Sequence, residues 1–304
     1  MRKQLCDALC ERASNEKMVF LTGDLGFMAL EPLRDLMGER FINAGVAEQN
    51  MITVSAAIAA EGMETWVYSI APFCYARPFE QIRNDICFHS LPVKIIGNGG
   101  GYGYGVMGPT HHAIEDYGIL LTLPGMSAFV PAFDEDLDQV IKKAGESRGP
   151  SYIRLGRGEL PKGHASPAYA PWRKLSQGGG DVVIVVGPLA GTYLSSIASL
   201  SEAVRPELWV VSELPLSKNP LPKEISQRIE DGCGLIVIEE HVARGGFGSE
   251  LALSLLEKSI TPSKFRHMYA KQHMFDAYGS QKYLREKSNL HPEFLLSLIE
   301  ETDV

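Results

Sequence analysis

The 304-residue sequence is 45% hydrophobic and 22% charged, which excludes an extended disordered chain and leaves room for two ordinary domains. Its net charge of −8 carries no basic block, so nucleic acid is not an expected partner. No apolar run reaches membrane-spanning length and the start, Met1-Arg2-Lys3-Gln4-Leu5-Cys6-Asp7, has no signal-peptide core, so no membrane contact and a cytoplasmic location are expected. The five cysteines are odd in number and lack zinc-like spacing, which predicts reduced thiols and no metal site on this chain.

Leu5, Leu9 and Ala13 recur at helical spacing among charges and predict an amphipathic helix over 2–16. The apolar run 18–22 predicts a strand ending at Gly23-Asp24-Leu25-Gly26, where glycine permits a tight turn. Ligands of open α/β sheets bind at that edge, so Asp24 is either a site residue or an Asx-turn residue. A helix near 30–37, a short strand at 40–43, a helix beginning at Glu48 and a strand at 64–68 follow. In the stretch Phe41-Ile42-Asn43-Ala44-Gly45-Val46-Ala47-Glu48-Gln49-Asn50-Met51, continuing to Ala60, Glu48 is the sole charge. The small and apolar residues around it predict a helix buried on most of its faces. Such a carboxyl is either a proton donor or acceptor aimed at a bound group, or a first-turn acid favoured by the helix dipole.

Residues 69–85 read as a turn passing into a helix, with Pro78 early in it. The strand at 91–96 empties into a loop holding Gly97, Gly99, Gly100, Gly101, Gly103, Gly105 and Gly108. Glycine at that density lets backbone approach a ligand or lets the loop move. It lacks the Lys-Ser/Thr ending of a P-loop. The loop closes on Gly108-Pro109-Thr110-His111-His112, and of the two histidines His111 is the expected site residue. A strand at 126–130, an acid-capped helix at 134–144 and a strand at 151–155 that delivers Arg157 to a turn complete a parallel sheet covered on both faces.

Pro, Gly, Ser and Ala crowd 161–180 and read as a linker. The expected division is a first domain at 1–165, a linker at 166–180 and a second domain at 181–304. The second has strands at 181–187, 208–211 and 235–238 and helices near 192–203 and 249–256. Glu239-Glu240-His241 ends its third strand, and Arg244-Gly245-Gly246-Phe247-Gly248 reads as a helix N-terminal turn in preference to a second ligand loop. The expected fold class is therefore α/β, two doubly wound domains.

Three motifs in order, Gly45-Val46-Ala47-Glu48-Gln49-Asn50-Met51, Arg77-Pro78-Phe79-Glu80-Gln81-Ile82-Arg83 and Gly108-Pro109-Thr110-His111, resemble the pyrimidine-binding domain of transketolase and its thiamine-diphosphate relatives. The residues after the linker resemble that family's smaller carboxyl-terminal domain. The resemblance implies that Glu48 bonds N1′ of the cofactor's aminopyrimidine and so promotes loss of the thiazolium C2 proton. It places Asp24, Phe73, Cys74 and Arg77 beside the cofactor and His111 on a donor oxygen. Arg157 matches an arginine that binds the sugar phosphate, although it also reads as a surface charge beside a turn, and Arg2 matches another. The family's diphosphate and metal motif is missing, which implies a separate amino-terminal transketolase subunit that holds the diphosphate and Mg2+. The implied enzyme is a split transketolase moving a two-carbon ketol unit between sugar or sugar-phosphate substrates, assembled as a heterotetramer.

Three departures from the family bear on its substrates and pocket. Ala71 and Cys74 stand where transketolases usually place aromatic rings, leaving Phe73 or Tyr75 to stack on the aminopyrimidine. Met107 replaces an aspartate that reads a donor hydroxyl, and Gly99 replaces a substrate-binding histidine. These changes turn the expectation toward an unusual acceptor, such as a nucleotide-linked keto sugar. The competing readings are a deoxyxylulose-phosphate-synthase-like enzyme, the beta subunit of a 2-oxo acid dehydrogenase, and a non-catalytic regulatory subunit. Glu48 and His111 weigh against the last.

Overall fold

Short runs of Val, Ile, Leu and aromatic residues set the strands, and burial on both faces makes them near-continuous apolar segments. The computed structural model describes residues 1–158 and 160–300. Within them, the first sheet comprises β1 (Met18–Thr22), β2 (Phe41–Asn43), β3 (Glu64–Ile70), β4 (Val93–Asn98), β5 (Ser127–Phe129), β6 (Ser151–Leu155) and β10 (Glu213–Leu214). The second comprises β7 (Trp172–Ser176), β8 (Val182–Val186), β9 (Glu207–Val211), β11 (Leu235–Glu239) and β12 (Phe265–Tyr269). Their orders are β10-β5-β6-β4-β3-β1-β2 and β12-β11-β8-β9-β7. All neighbours run parallel except β10 on β5 and β7 on β9. The doubly wound α/β architecture is thus the one the alternation of elements predicted.

Four helices flank the first strands: α1 (Arg2–Arg12), α2 (Glu31–Met37), α3 (Glu48–Ala60) and α4 (Ala71–Tyr75). The expectation that α3 is buried on most of its faces is corrected. Glu48, Met51, Ile52, Ser55, Ala56 and Ala59 form its buried stripe, while Gln49, Asn50, Thr53, Val54 and Ala57 face outward. Small uncharged residues on the outer face removed the polar signal that marks an ordinary exposed side.

The segment read as a linker contains β7, which pairs antiparallel with β9. Arg173 of β7 is buried and donates to both oxygens of Asp136 at 2.7 Å, and Asp136 also accepts from the Ala132 and Phe133 amides at 2.8 and 3.0 Å. A buried cation is tolerated when its partner is this fully bonded. β10 crosses back to extend the first sheet, so the two halves of the chain share a strand edge. Beyond the predicted elements, the second half also holds β12 and helices at Lys223–Glu230, Gln281–Lys287 and Pro292–Glu300. No helix among the described residues is long and apolar enough to cross a membrane, and none of their His, Cys, Asp and Glu groups forms a metal-ligating cluster.

Candidate active site

Except for Arg2, which opens α1, the predicted site residues follow the carboxyl ends of neighbouring strands. Asp24 follows β1, Glu48 follows β2, Phe73 and Arg77 follow β3, His111 closes the loop after β4, and Arg157 follows β6. In a sheet ordered β6-β4-β3-β1-β2, these ends share one rim, where α/β sheets bind ligands.

Glu48 opens α3 and is 4% exposed. Both its carboxylate oxygens accept from Arg77 Nη1, at 3.1 and 3.0 Å. Arg77 reaches it from beyond α4, with its guanidinium 4.0 Å above the centre of the Phe73 ring. Phe73 in turn meets His111 edge-on at 5.1 Å between centroids. Four residues from three stretches of the sequence are therefore joined by successive contacts. A β-carbon on Gly23 would lie 3.6 Å from each of Glu48 Cγ, Gly45 O and Ser69 Oγ, so the turn after β1 borders Glu48. Ser69 Oγ is buried and has no hydrogen-bond partner. The Glu48 carboxylate is an acceptor, the unengaged Ser69 hydroxyl a donor or acceptor and the Phe73 ring a flat apolar face, groups suited to a polar heteroaromatic ring.

Burial, and then the positive charge of Arg77, hold the His111 imidazole below its ordinary value, so near neutral pH the ring is uncharged. Its Nδ1 lies 2.9 Å from the Thr110 hydroxyl, which leaves Nε2 for a ligand. Tyr104, at 6.3 Å from the His111 ring, is held by Asn98 Nδ2 at 2.6 Å from its hydroxyl. Its ring covers Gly99, where a side chain would overlap it. Burial raises the Tyr104 phenol, and the charges of Arg2 and Arg157 oppose that rise, so both arginines lie within electrostatic reach of the same hydroxyl. Both are exposed.

Two predicted residues have structural partners. Asp24 sits at φ 56° and is bound to Asn43, side chain to side chain at 2.9 Å and amide to Asn43 Oδ1 at 3.0 Å. Asn43 Oδ1 also accepts from the Gly45 amide at 3.0 Å, so this Asx pair fixes the approach to Glu48. A cleft of about 350 Å³ runs beside Asp24, between Thr22, Phe27, Arg34 and Phe41, apart from Glu48 and His111. Cys74 is fully buried, with its thiol toward the Ala71 and Ile96 carbonyls, and burial pushes that thiol up. Ala71 is equally buried. Phe73, only half-buried, is the ring on this turn that reaches the rim. Sequence reasoning did not single out Asn98 or Tyr104; the Tyr alternating with glycine in Gly101-Tyr102-Gly103-Tyr104-Gly105 was the available signal.

The transketolase pyrimidine-binding domain family matches residues 1–162, more than half of the chain. The chain belongs to this family. Among curated members it is 27% identical over 267 residues to an apulose-4-phosphate transketolase subunit of Phocaeicola vulgatus, covering 85% of this chain and 84% of that one. It is 32% identical to 1-deoxy-D-xylulose-5-phosphate synthase 2 of Geobacter sulfurreducens over 84% of this chain, which spans 41% of the synthase. A solved split-gene transketolase, described as an inactive beta4 tetramer, superposes with a TM-score of 0.84 at 28% identity and covers 99% of this chain and 97% of its own. Campylobacter jejuni transketolase shares the fold at a TM-score of 0.78 and 18% identity, with 46% of its length covered.

Proposed function

We propose that this chain is one subunit of a split, thiamine-diphosphate-dependent transketolase that moves a two-carbon ketol unit between sugar substrates. The observation that carries the reading is Glu48: a buried carboxylate at the first turn of α3, joined through Arg77 to the Phe73–His111 ring pair. Relatives named as single subunits of an apulose-4-phosphate transketolase match it along most of both chains, which supports the division of the enzyme between two polypeptides. In this reading the first half of the chain, to about residue 165, binds the aminopyrimidine, and the rest, which already includes β7 within the stretch expected to be a linker, forms the carboxyl-terminal domain.

When bound, thiamine diphosphate supplies a nucleophilic carbon and an electron sink. The chain's own groups prepare it. Glu48 holds or shares a proton with the ring nitrogen of the aminopyrimidine, and Arg77 keeps the carboxylate oriented until that ring arrives. The apolar face of Phe73 supports the ring, with Cys74 and Ala71 filling the core beneath it. Asp24 acts on the cofactor site through Asn43, by setting the turn that delivers Glu48. His111 Nε2 bonds an oxygen of the ketose donor, and Arg2 and Arg157 hold its anionic group, a task suited to guanidinium forks. The diphosphate and Mg2+ are held by the amino-terminal partner. Exposed Phe27, Val46, Phe88 and Met107 supply apolar surface for that partner and for self-association into a heterotetramer.

The sugar in the name of the apulose-4-phosphate transketolase relatives favours a sugar phosphate over a nucleotide-linked keto sugar as a substrate. Tyr104 over Gly99, and Met107 in place of a carboxylate, separate this pocket from one shaped for ordinary pentose and hexose phosphates. The test is reconstitution of the chain with a candidate amino-terminal partner, thiamine diphosphate and Mg2+, followed by assay of ketol transfer from a panel of ketose phosphates. Transfer that requires both chains supports the proposal. Decarboxylation of a 2-oxo acid without ketol transfer would replace it with the synthase-like reading.

A further inference from the structure

The glycines of the loop after β4 meet the second half of the chain. A side chain at Gly101 would overlap the Glu240 carboxylate, one at Gly105 the Leu284 side chain and the Gly279 carbonyl, and one at Gly108 the Tyr278 ring. Glu240 is buried and accepts from the Tyr102 amide at 3.0 Å, from Gln281 Nε2 at 3.1 and 3.0 Å and from Arg285 Nη2 at 2.7 Å. The Tyr102 hydroxyl donates to Gln272 O at 2.8 Å. The His112 ring stacks on His273 at 5.8 Å, and His273 bonds Glu115 at 3.2 Å. At Gly108 the consequence is direct, because the Gly108 carbonyl accepts the His111 amide at 3.0 Å.

We propose that Tyr278, which meets the Gly101–His112 loop at Gly108 while the Glu240–Arg285 pair holds its other end at Gly101 and Tyr102, is a positioning residue that braces this loop and thereby sets His111 for the donor sugar. The density of glycine in this loop then follows from close packing of another segment on its backbone. The inference rests on the reading of His111 as a substrate-binding residue. Tyr278 is 65% exposed, so truncating it removes little buried area and leaves the fold intact.

The test combines amide hydrogen exchange of residues 101–112 with steady-state kinetics of the two-chain holoenzyme, in Tyr278→Ala and Tyr278→Phe. Tyr278→Ala should speed exchange at 105–112 by about tenfold and lower kcat/KM for the ketose donor by about tenfold, without altering cofactor affinity, while Tyr278→Phe retains wild-type values in both. Unchanged exchange in Tyr278→Ala overturns the brace. Loss of donor kcat/KM in Tyr278→Phe equal to that in Tyr278→Ala overturns it too, by making the hydroxyl a substrate contact. Should the wild-type complex transfer no ketol unit, the functional reading fails and the exchange measurement still decides the brace.

Discussion

Acidification should destabilise this protein through one histidine. His112 is 1% exposed, and neither of its ring nitrogens has a hydrogen-bond partner. It lies edge-on to Tyr102 at 5.0 Å and parallel to His273 at 5.8 Å. Burial, and then the charge of His273, lower it from 6.5 to about 4. Between those two values the unfolded chain binds a proton that the folded chain does not, so stability falls as pH drops from 6.5 toward 4. A displacement of that size corresponds to roughly 3 kcal/mol. His273 works in the opposite sense. Glu115 raises it, so its contribution is complete below pH 6.5 and is lost as pH rises through its folded value. Urea unfolding from pH 8 to pH 4 on wild type and His112→Asn isolates the first effect. The wild type should lose about 3 kcal/mol more than the variant between pH 7 and pH 4. Parallel profiles would refute the account of a buried, unpartnered imidazole.

Two further substitutions probe the connection between the halves and the cofactor pocket. Asp136→Ala strands the buried Arg173 guanidinium and should cost about 3–5 kcal/mol in urea unfolding, whereas a loss below about 1 kcal/mol would mean that water reaches Arg173. Phe73→Ala removes the ring between Arg77 and His111 and should weaken thiamine diphosphate binding to the two-chain complex by about tenfold, read by calorimetry. Unchanged affinity would transfer the stacking role to another ring.

The parallel strands and the rim residues were legible because apolar runs, punctuated by glycine, place Asp24, Glu48, Phe73, His111 and Arg157 after successive strand ends. What was not legible depended on partners distant in sequence. Arg77 read as a residue flanking the cofactor, but its pairing with Glu48 across 29 positions leaves no periodic trace. The two-residue β10 is too short to carry a pattern. β7 is hidden in a Pro- and Gly-rich stretch because its structure comes from pairing with β9 and from Arg173 reaching Asp136, and tertiary contacts override such composition. The glycine loop read as a segment for ligand approach or for motion, and that reading left out the contacts from Glu240, Tyr278 and Leu284 that crowd three of its glycines. Glu239-Glu240-His241 read as the end of a strand before a turn, as β11 shows it to be, but that reading could not show that its carboxylates accept from Tyr102 and Tyr117 of the first half.

The most direct test of the account is ketol transfer by the reconstituted two-chain enzyme carrying Glu48→Gln, measured with thiamine diphosphate at saturation. The buried carboxyl is assigned the proton-holding role, so kcat should fall by roughly 10²- to 10⁴-fold while the complex still assembles. Transfer within about twofold of wild type, a difference too small for a lost acid–base group, would contradict the account.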